Sequence, residues 1–197
     1  MIAFIEGDIA TLTPTQVVLN VGGLGYEVNI TLLDYSQLHE LKRAKLYVTE
    51  IIREDAYTLY GFLEESARLF FDKLRTVSGV GPATARLILS SFAPTELASI
   101  IDSGSVELLQ TVKGIGLKSA QRIVVDLKGK LVLPEEPGGM ADGSLTQASL
   151  EVAEEARRAL TTLGFTDSSV RKILKKLLAK DPSLSVEELI RHSLKQL

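Results

Sequence analysis

Cysteine is absent from the 197-residue chain. That excludes disulfides and thiolate-bound metal, and it fits a reducing cytoplasm, where the chain is expected to reside. Histidine occurs twice, at His39 and His192, far apart and in no ligand spacing, so both read as surface residues. No Gly-x-x-x-x-Gly-Lys-(Ser/Thr) run occurs, and so no Walker-type ATP site is readable. No carboxylate cluster stands out beyond ordinary helix pairs, which leaves a metal-dependent nuclease centre without a visible donor set. No apolar run is long enough to cross a membrane, and no signal peptide is read. The expectation is a soluble binding module with no catalytic residue, no metal and no cofactor of its own.

Positive charge is also scarce overall, with a net charge of −3. It is unevenly spread. Residues 1–63 carry 4 Lys+Arg against 8 Asp+Glu, residues 64–133 carry 9 against 7, and residues 134–197 carry 9 against 10. Only the middle third is positive. A polyanion would therefore have to be held by a local basic surface and backbone amides rather than by global charge.

That middle third contains an internal duplication. Residues 77–89 and 112–124 align at an offset of 35, sharing Val77/Val112, Gly79/Gly114, Gly81/Gly116, Ala85/Ala120 and Ile88/Ile123. Val80/Ile115, Thr84/Ser119 and Leu89/Val124 match in kind. A repeat at a fixed period marks a repeated structural unit. Each copy follows an apolar, helix-like run and leads into another, so the unit is helix, Gly-x-Gly hairpin, helix. Glycine permits positive φ and close approach of another chain. Pro82 suits the first position of the second helix. The exposed start of that helix presents amides and a positive dipole end, which suits a phosphate. Such a contact holds a sugar-phosphate backbone without reading a base. The candidate contacts are Gly79, Val80, Gly81, Thr84 and Arg86 in the first unit, and Lys113, Gly114, Ile115, Gly116, Lys118, Ser119 and Arg122 in the second. A Rossmann-type cofactor loop fits poorly, because both hairpins follow helices rather than strands.

The rest of the chain falls into three stretches. Residues 1–64 read as five short strands, at Ile2–Ile9, Gln16–Val21, Tyr26–Ile30, Leu46–Ile52 and Ala56–Phe62, with a short helix near Asp34–Leu41. This pattern suggests a small barrel of the OB type. Residues 65–133 hold the tandem hairpins, and residues 134–144, rich in proline, glycine and acid, read as a flexible linker. Residues 145–197 read as a three-helix bundle, with Gly164 closing the first helix and Ser185–Glu188 forming a capping box at the start of the third. The fold class is multidomain α+β. Arg53-Glu54-Asp55 joins the last two strands, and on its own it reads as a solvated hairpin tip.

Taken together, these stretches resemble the RuvA family, the Holliday-junction-binding subunits of the bacterial branch-migration complex. The most specific runs are Val21-Gly22-Gly23-Leu24-Gly25-Tyr26-Glu27-Val28, Arg53-Glu54-Asp55-Ala56 with Leu59-Tyr60-Gly61-Phe62, Gly79-Val80-Gly81-Pro82, and Gly114-Ile115-Gly116 with Lys118. The resemblance implies a UBA-like C-terminal bundle and a homotetramer, or an octamer of two tetramers face to face. It implies that a four-way junction lies open and nearly planar on one face, gripped at minor-groove phosphates by the hairpins. Glu54 and Asp55 become the family's acidic pin, which changes the reading of that tip. The bundle would recruit the RuvB motor ATPase, which consumes the ATP, and the RuvC resolvase would share the junction. The setting would be recombination, DNA repair and the SOS response. This chain departs from the family at Ala83 and Leu117, where lysine is common. The first hairpin therefore offers amides without a nearby lysine, while Lys118 and Arg122 keep the second basic.

Two other readings stand beside this one. A structure-specific nuclease or glycosylase could use the hairpins for docking, and a pure protein-interaction module would show no preference for branched DNA.

Overall fold

The computed structural model describes residues 1–131, 147–179, 181 and 184–196. The expected linker at 134–144 lies outside the described residues. The chain divides into two compact units, residues 1–134 and 135–197.

The first unit opens with five strands: β1 (Phe4–Thr13), β2 (Gln16–Val21), β3 (Leu24–Asn29), β4 (Arg43–Ile52) and β5 (Tyr57–Phe62). They close a barrel in the order β1-β2-β3-β5-β4. Every pairing is antiparallel except β3 with β5, a parallel seam of two rungs, Val28 with Leu59 and Asn29 with Tyr60. The alternation that marks these strands has a direct cause: Val17, Leu19, Val28 and Leu46 fill the barrel, while their neighbours face outward. Gly61 lies where the wall is tightest, since a Cβ there would stand 2.5 Å from Val28 Cγ1. β1 runs on to Thr13 rather than ending near Ile9, through an irregularity of register between Ile9 and Thr11.

Helix α1 (Leu32–Leu38) bridges β3 and β4. It starts at Thr31, whose hydroxyl accepts from Asp34 N–H at 3.0 Å and donates to Asp34 Oδ2 at 2.6 Å. Asp34 Oδ1 accepts from Leu63 N–H at 3.0 Å, so this buried carboxyl ties α1 to the end of β5. Burial raises its pKa, against the opposing effect of these hydrogen bonds.

Five helices follow: α2 (Glu65–Arg75), α3 (Pro82–Ser91), α4 (Pro94–Ser103), α5 (Val106–Gln110) and α6 (Leu117–Leu127). Their core includes Phe70, Phe71, Leu97 and Ile101, and it also takes in Ile51 of β4 and Phe62 of β5. Tyr60 stacks on Phe71 with ring centroids 5.0 Å apart. The barrel wall is thus part of the helical core. The helices cannot turn freely against the barrel without breaking aromatic packing.

Among its described residues the second unit holds three helices: α7 (Gln147–Thr162), α8 (Asp167–Leu178) and α9 (Val186–Leu194). Ala156, Leu160, Val170, Leu174 and Leu189 form its core. Ser185 and Glu188 make the capping box that opens α9. Arg157 of α7 pairs with Glu154 and with Asp167 at the start of α8. Among the described residues no helix is long and apolar enough to cross a membrane.

Candidate nucleic-acid interface

The duplicated segments fold into two nearly identical hairpins, one between α2 and α3 and the other between α5 and α6. Each begins where a threonine ends a helix. Thr76 Oγ1 donates to Lys73 O and Thr111 Oγ1 to Leu108 O, both at 2.7 Å. A tight turn follows, with Val80 N–H donating to Val77 O at 3.0 Å and Ile115 N–H to Val112 O at 3.1 Å. All four of these apolar side chains are buried. They pin the turn to the core, as a hairpin that must keep its shape requires.

The glycines in each hairpin have different jobs. Gly79 and Gly114 sit at φ +90° and +91°, a conformation that an L side chain rarely adopts. Gly81 and Gly116 sit at φ −83° and −88°, which any residue can adopt. A Cβ at either would meet nothing within 4 Å. Nothing among the described residues requires glycine there, so the missing Cβ leaves room for something outside the chain.

Both of these glycines are the N-caps of their helices, without a side-chain cap. The first-turn amides of α3 and α6 therefore lack intrahelical partners and lie at the positive end of the helix dipole. Pro82 contributes no N–H, so the first hairpin has one amide fewer than the second, which carries Leu117, Lys118 and Ser119. Lys113, Gly114, Gly116, Lys118 and Arg122 are exposed, Thr84 and Ser119 half-buried, and Val80 and Ile115 buried. Among the described residues neither Lys113 nor Lys118 makes an ion pair, so both charges are available to a ligand. Arg75, upstream of the first hairpin, is committed to Asp72 and to the Phe71 ring. An exposed amide cradle with adjacent unpaired cations and no buried pocket suits a polyanionic backbone better than a small ligand.

Three family models match the chain: the RuvA N-terminal domain over residues 1–61, the SAM-like helix-hairpin-helix tandem over 71–129, and the RuvA C-terminal domain over 151–197. The Holliday junction branch migration complex subunit RuvA of Porphyromonas gingivalis is 46% identical over the full length of both chains. Its namesakes from Bacteroides thetaiotaomicron and Flavobacterium psychrophilum are 45% and 40% identical, again over the full length of both. The chain belongs to the RuvA family.

The RuvA-type barrel carries the other candidate element. Glu54 and Asp55 are exposed on the β4–β5 turn, which is closed by Arg53 N–H donating to Ala56 O at 2.8 Å. Arg86 is placed differently from its companions. Its Nη1 donates to the Thr15 carbonyl at 3.0 Å, on the turn between β1 and β2. Sequence reading missed the Thr76/Thr111 pair, although it repeats at the same offset of 35. Among the described residues no group of three His, Asp or Glu could hold a metal ion.

Proposed function

We propose that the chain binds four-way DNA junctions as the non-catalytic subunit of a branch-migration complex, serving recombination and repair. The observation that carries this reading is the vacant space at Gly81 and Gly116, each beside unbonded amides at a helix start. Phosphates of duplex arms would sit there, held by amides and by Lys113, Lys118 and Arg122.

The finer parts of the reading follow from the family and from charge. Four copies around a four-fold axis would hold the junction open and nearly planar, and a second tetramer could close over it to make an octamer. The Glu54–Asp55 turns would meet at the centre, where carboxylates repel phosphates and keep strands apart. The C-terminal bundle would recruit the RuvB motor, which hydrolyses ATP, and RuvC would share the junction. The chain itself needs no cofactor for this role.

Gel-shift titration of the pure full-length chain with four-way and linear DNA of matched arm sequence tests the reading. A clear preference for the four-way form supports it, and equal affinity refutes it. Strand cleavage in Mg²⁺ by the chain alone would point to a nuclease instead. Removal of residues 145–197 should leave junction binding intact and abolish motor stimulation.

A further inference from the structure

Arg86 lies one turn into α3, the helix whose first turn forms the first phosphate cradle. Its charge alone would suggest a phosphate contact, but its hydrogen bonds do not. Besides the Thr15 carbonyl, its Nη1 lies 3.4 Å from Asn29 Oδ1. Asn29 closes the barrel's two-rung parallel seam, and its Nδ2 donates to Leu59 O at 3.1 Å. The same Thr15 carbonyl accepts Ile30 N–H at 3.1 Å. One turn further along α3, Ser90 Oγ donates to Arg86 O at 2.8 Å and accepts Leu32 N–H at 3.2 Å. Arg86 and Ser90 thus fasten one face of α3 to the barrel end where β3 and β5 meet. Asn29 is level with Tyr60, and β5 runs back from there to Tyr57, just after the turn that bears Glu54 and Asp55, so β5 itself spans the distance from the tie to that turn.

Among the described residues the second hairpin has no counterpart to this tie. The duplicated position in α6 is Gln121, which is exposed. The two copies of the repeat thus differ at this position.

The geometry points to Arg86 as a positioning residue that locks the first hairpin to the barrel and so fixes the spacing between a phosphate cradle and the acidic turn. This rests on the junction-binding reading above. A linear duplex needs only the cradle. A four-way junction must satisfy the cradles and the acidic turns at once, so it alone depends on that spacing. Salt dependence separates the two roles of an arginine. One that neutralises a phosphate contributes about one unit to the salt slope of binding, whereas one spent on protein carbonyls contributes none.

The test uses full-length Arg86→Gln and Arg86→Lys. In the DNA-free protein, amide hydrogen exchange at Ile30 and in α3 from Ala85 onward should quicken in Arg86→Gln and be partly restored in Arg86→Lys. In equilibrium binding across a salt series, Arg86→Gln should keep the wild-type slope. Its preference for four-way over linear DNA should fall roughly three- to tenfold, the scale of one lost structural hydrogen-bonding group. A slope reduced by about one, with the preference unchanged, would make Arg86 a phosphate contact and overturn the proposal. Unchanged exchange in both variants would overturn the tie itself, whatever the DNA does. A wild-type chain with no junction preference would instead sink the functional reading, and the positioning role with it, even if exchange showed the tie to be real.

Discussion

Arg122 Nη1 lies 3.5 Å from the Ser78 carbonyl oxygen, so a side chain of the second hairpin unit reaches the backbone of the first. At that length the contact is weak. Among the described residues it leaves the guanidinium's other donors free, and the two hairpins are held together by their shared apolar core. Arg122→Ala should therefore weaken binding to four-way and linear DNA alike and lower the salt slope by about one. Titrations at several salt concentrations check this, and an unchanged slope would remove Arg122 from the phosphate contacts.

The two glycines of each hairpin should respond in opposite ways. Gly114→Ala puts a Cβ at φ +91° and should cost roughly 1–2 kcal/mol of stability. Gly116→Ala meets no atom of the described residues within 4 Å and should change stability by less than about 0.5 kcal/mol. It should nevertheless weaken junction binding on the order of tenfold by obstructing amide–phosphate hydrogen bonds. Gly61→Ala serves as the converse control. Its Cβ would press on Val28 and cost about 1–3 kcal/mol through overpacking. Thermal melts paired with junction titrations separate the three cases.

Reversing the acidic turn should change selectivity rather than folding, because Glu54 and Asp55 are exposed. Glu54→Lys with Asp55→Lys should raise affinity for linear duplex and narrow the preference for four-way DNA. Competition binding gives both numbers, and weaker duplex binding would count against repulsion by the turn.

Acid should act on the two units with opposite sign. In the C-terminal bundle, hydrogen bonding to Arg157 lowers the pKa of both Glu154 and Asp167. Their contribution is complete above the ordinary carboxylate value of about 4 and is lost as pH falls through the lowered folded values. In the barrel, burial raises the pKa of Asp34. Its contribution is complete below about 4 and is lost as pH rises through the raised folded value. Acidification should therefore weaken the bundle less in Arg157→Gln than in the wild type, and Asp34→Asn should flatten the pH response of the barrel. Hydrogen exchange followed between pH 7 and about pH 4 reports the barrel, and from about pH 4 down to about pH 2 it reports the bundle.

The sequence makes the repeated parts legible and hides the through-space ones. Gly79/Gly114 and Val77/Val112 could be paired by offset alone, and the Ser185–Glu188 capping box is a local signal. The continuation of β1 through Ala10, Thr11 and Leu12 was not legible, because a register irregularity breaks the alternation there. The start of α1 at Leu32 rather than near Asp34 could have been read from Thr31 capping Asp34 N–H. Ile51 and Phe62 read as ordinary strand residues, yet they belong to the helical core. Arg86 was the least legible of all. A cation beside a phosphate-binding hairpin looks like a contact, and only the fold brings Thr15, 71 residues away, to its guanidinium.

The most direct measurement follows the backbone amides themselves. Isotope-labelled protein titrated with a four-way junction should show its largest amide shifts at Gly79–Thr84 and Gly114–Ser119, with smaller ones at the Glu54–Asp55 turn. Shifts that leave both hairpins untouched while the junction binds elsewhere would contradict the account.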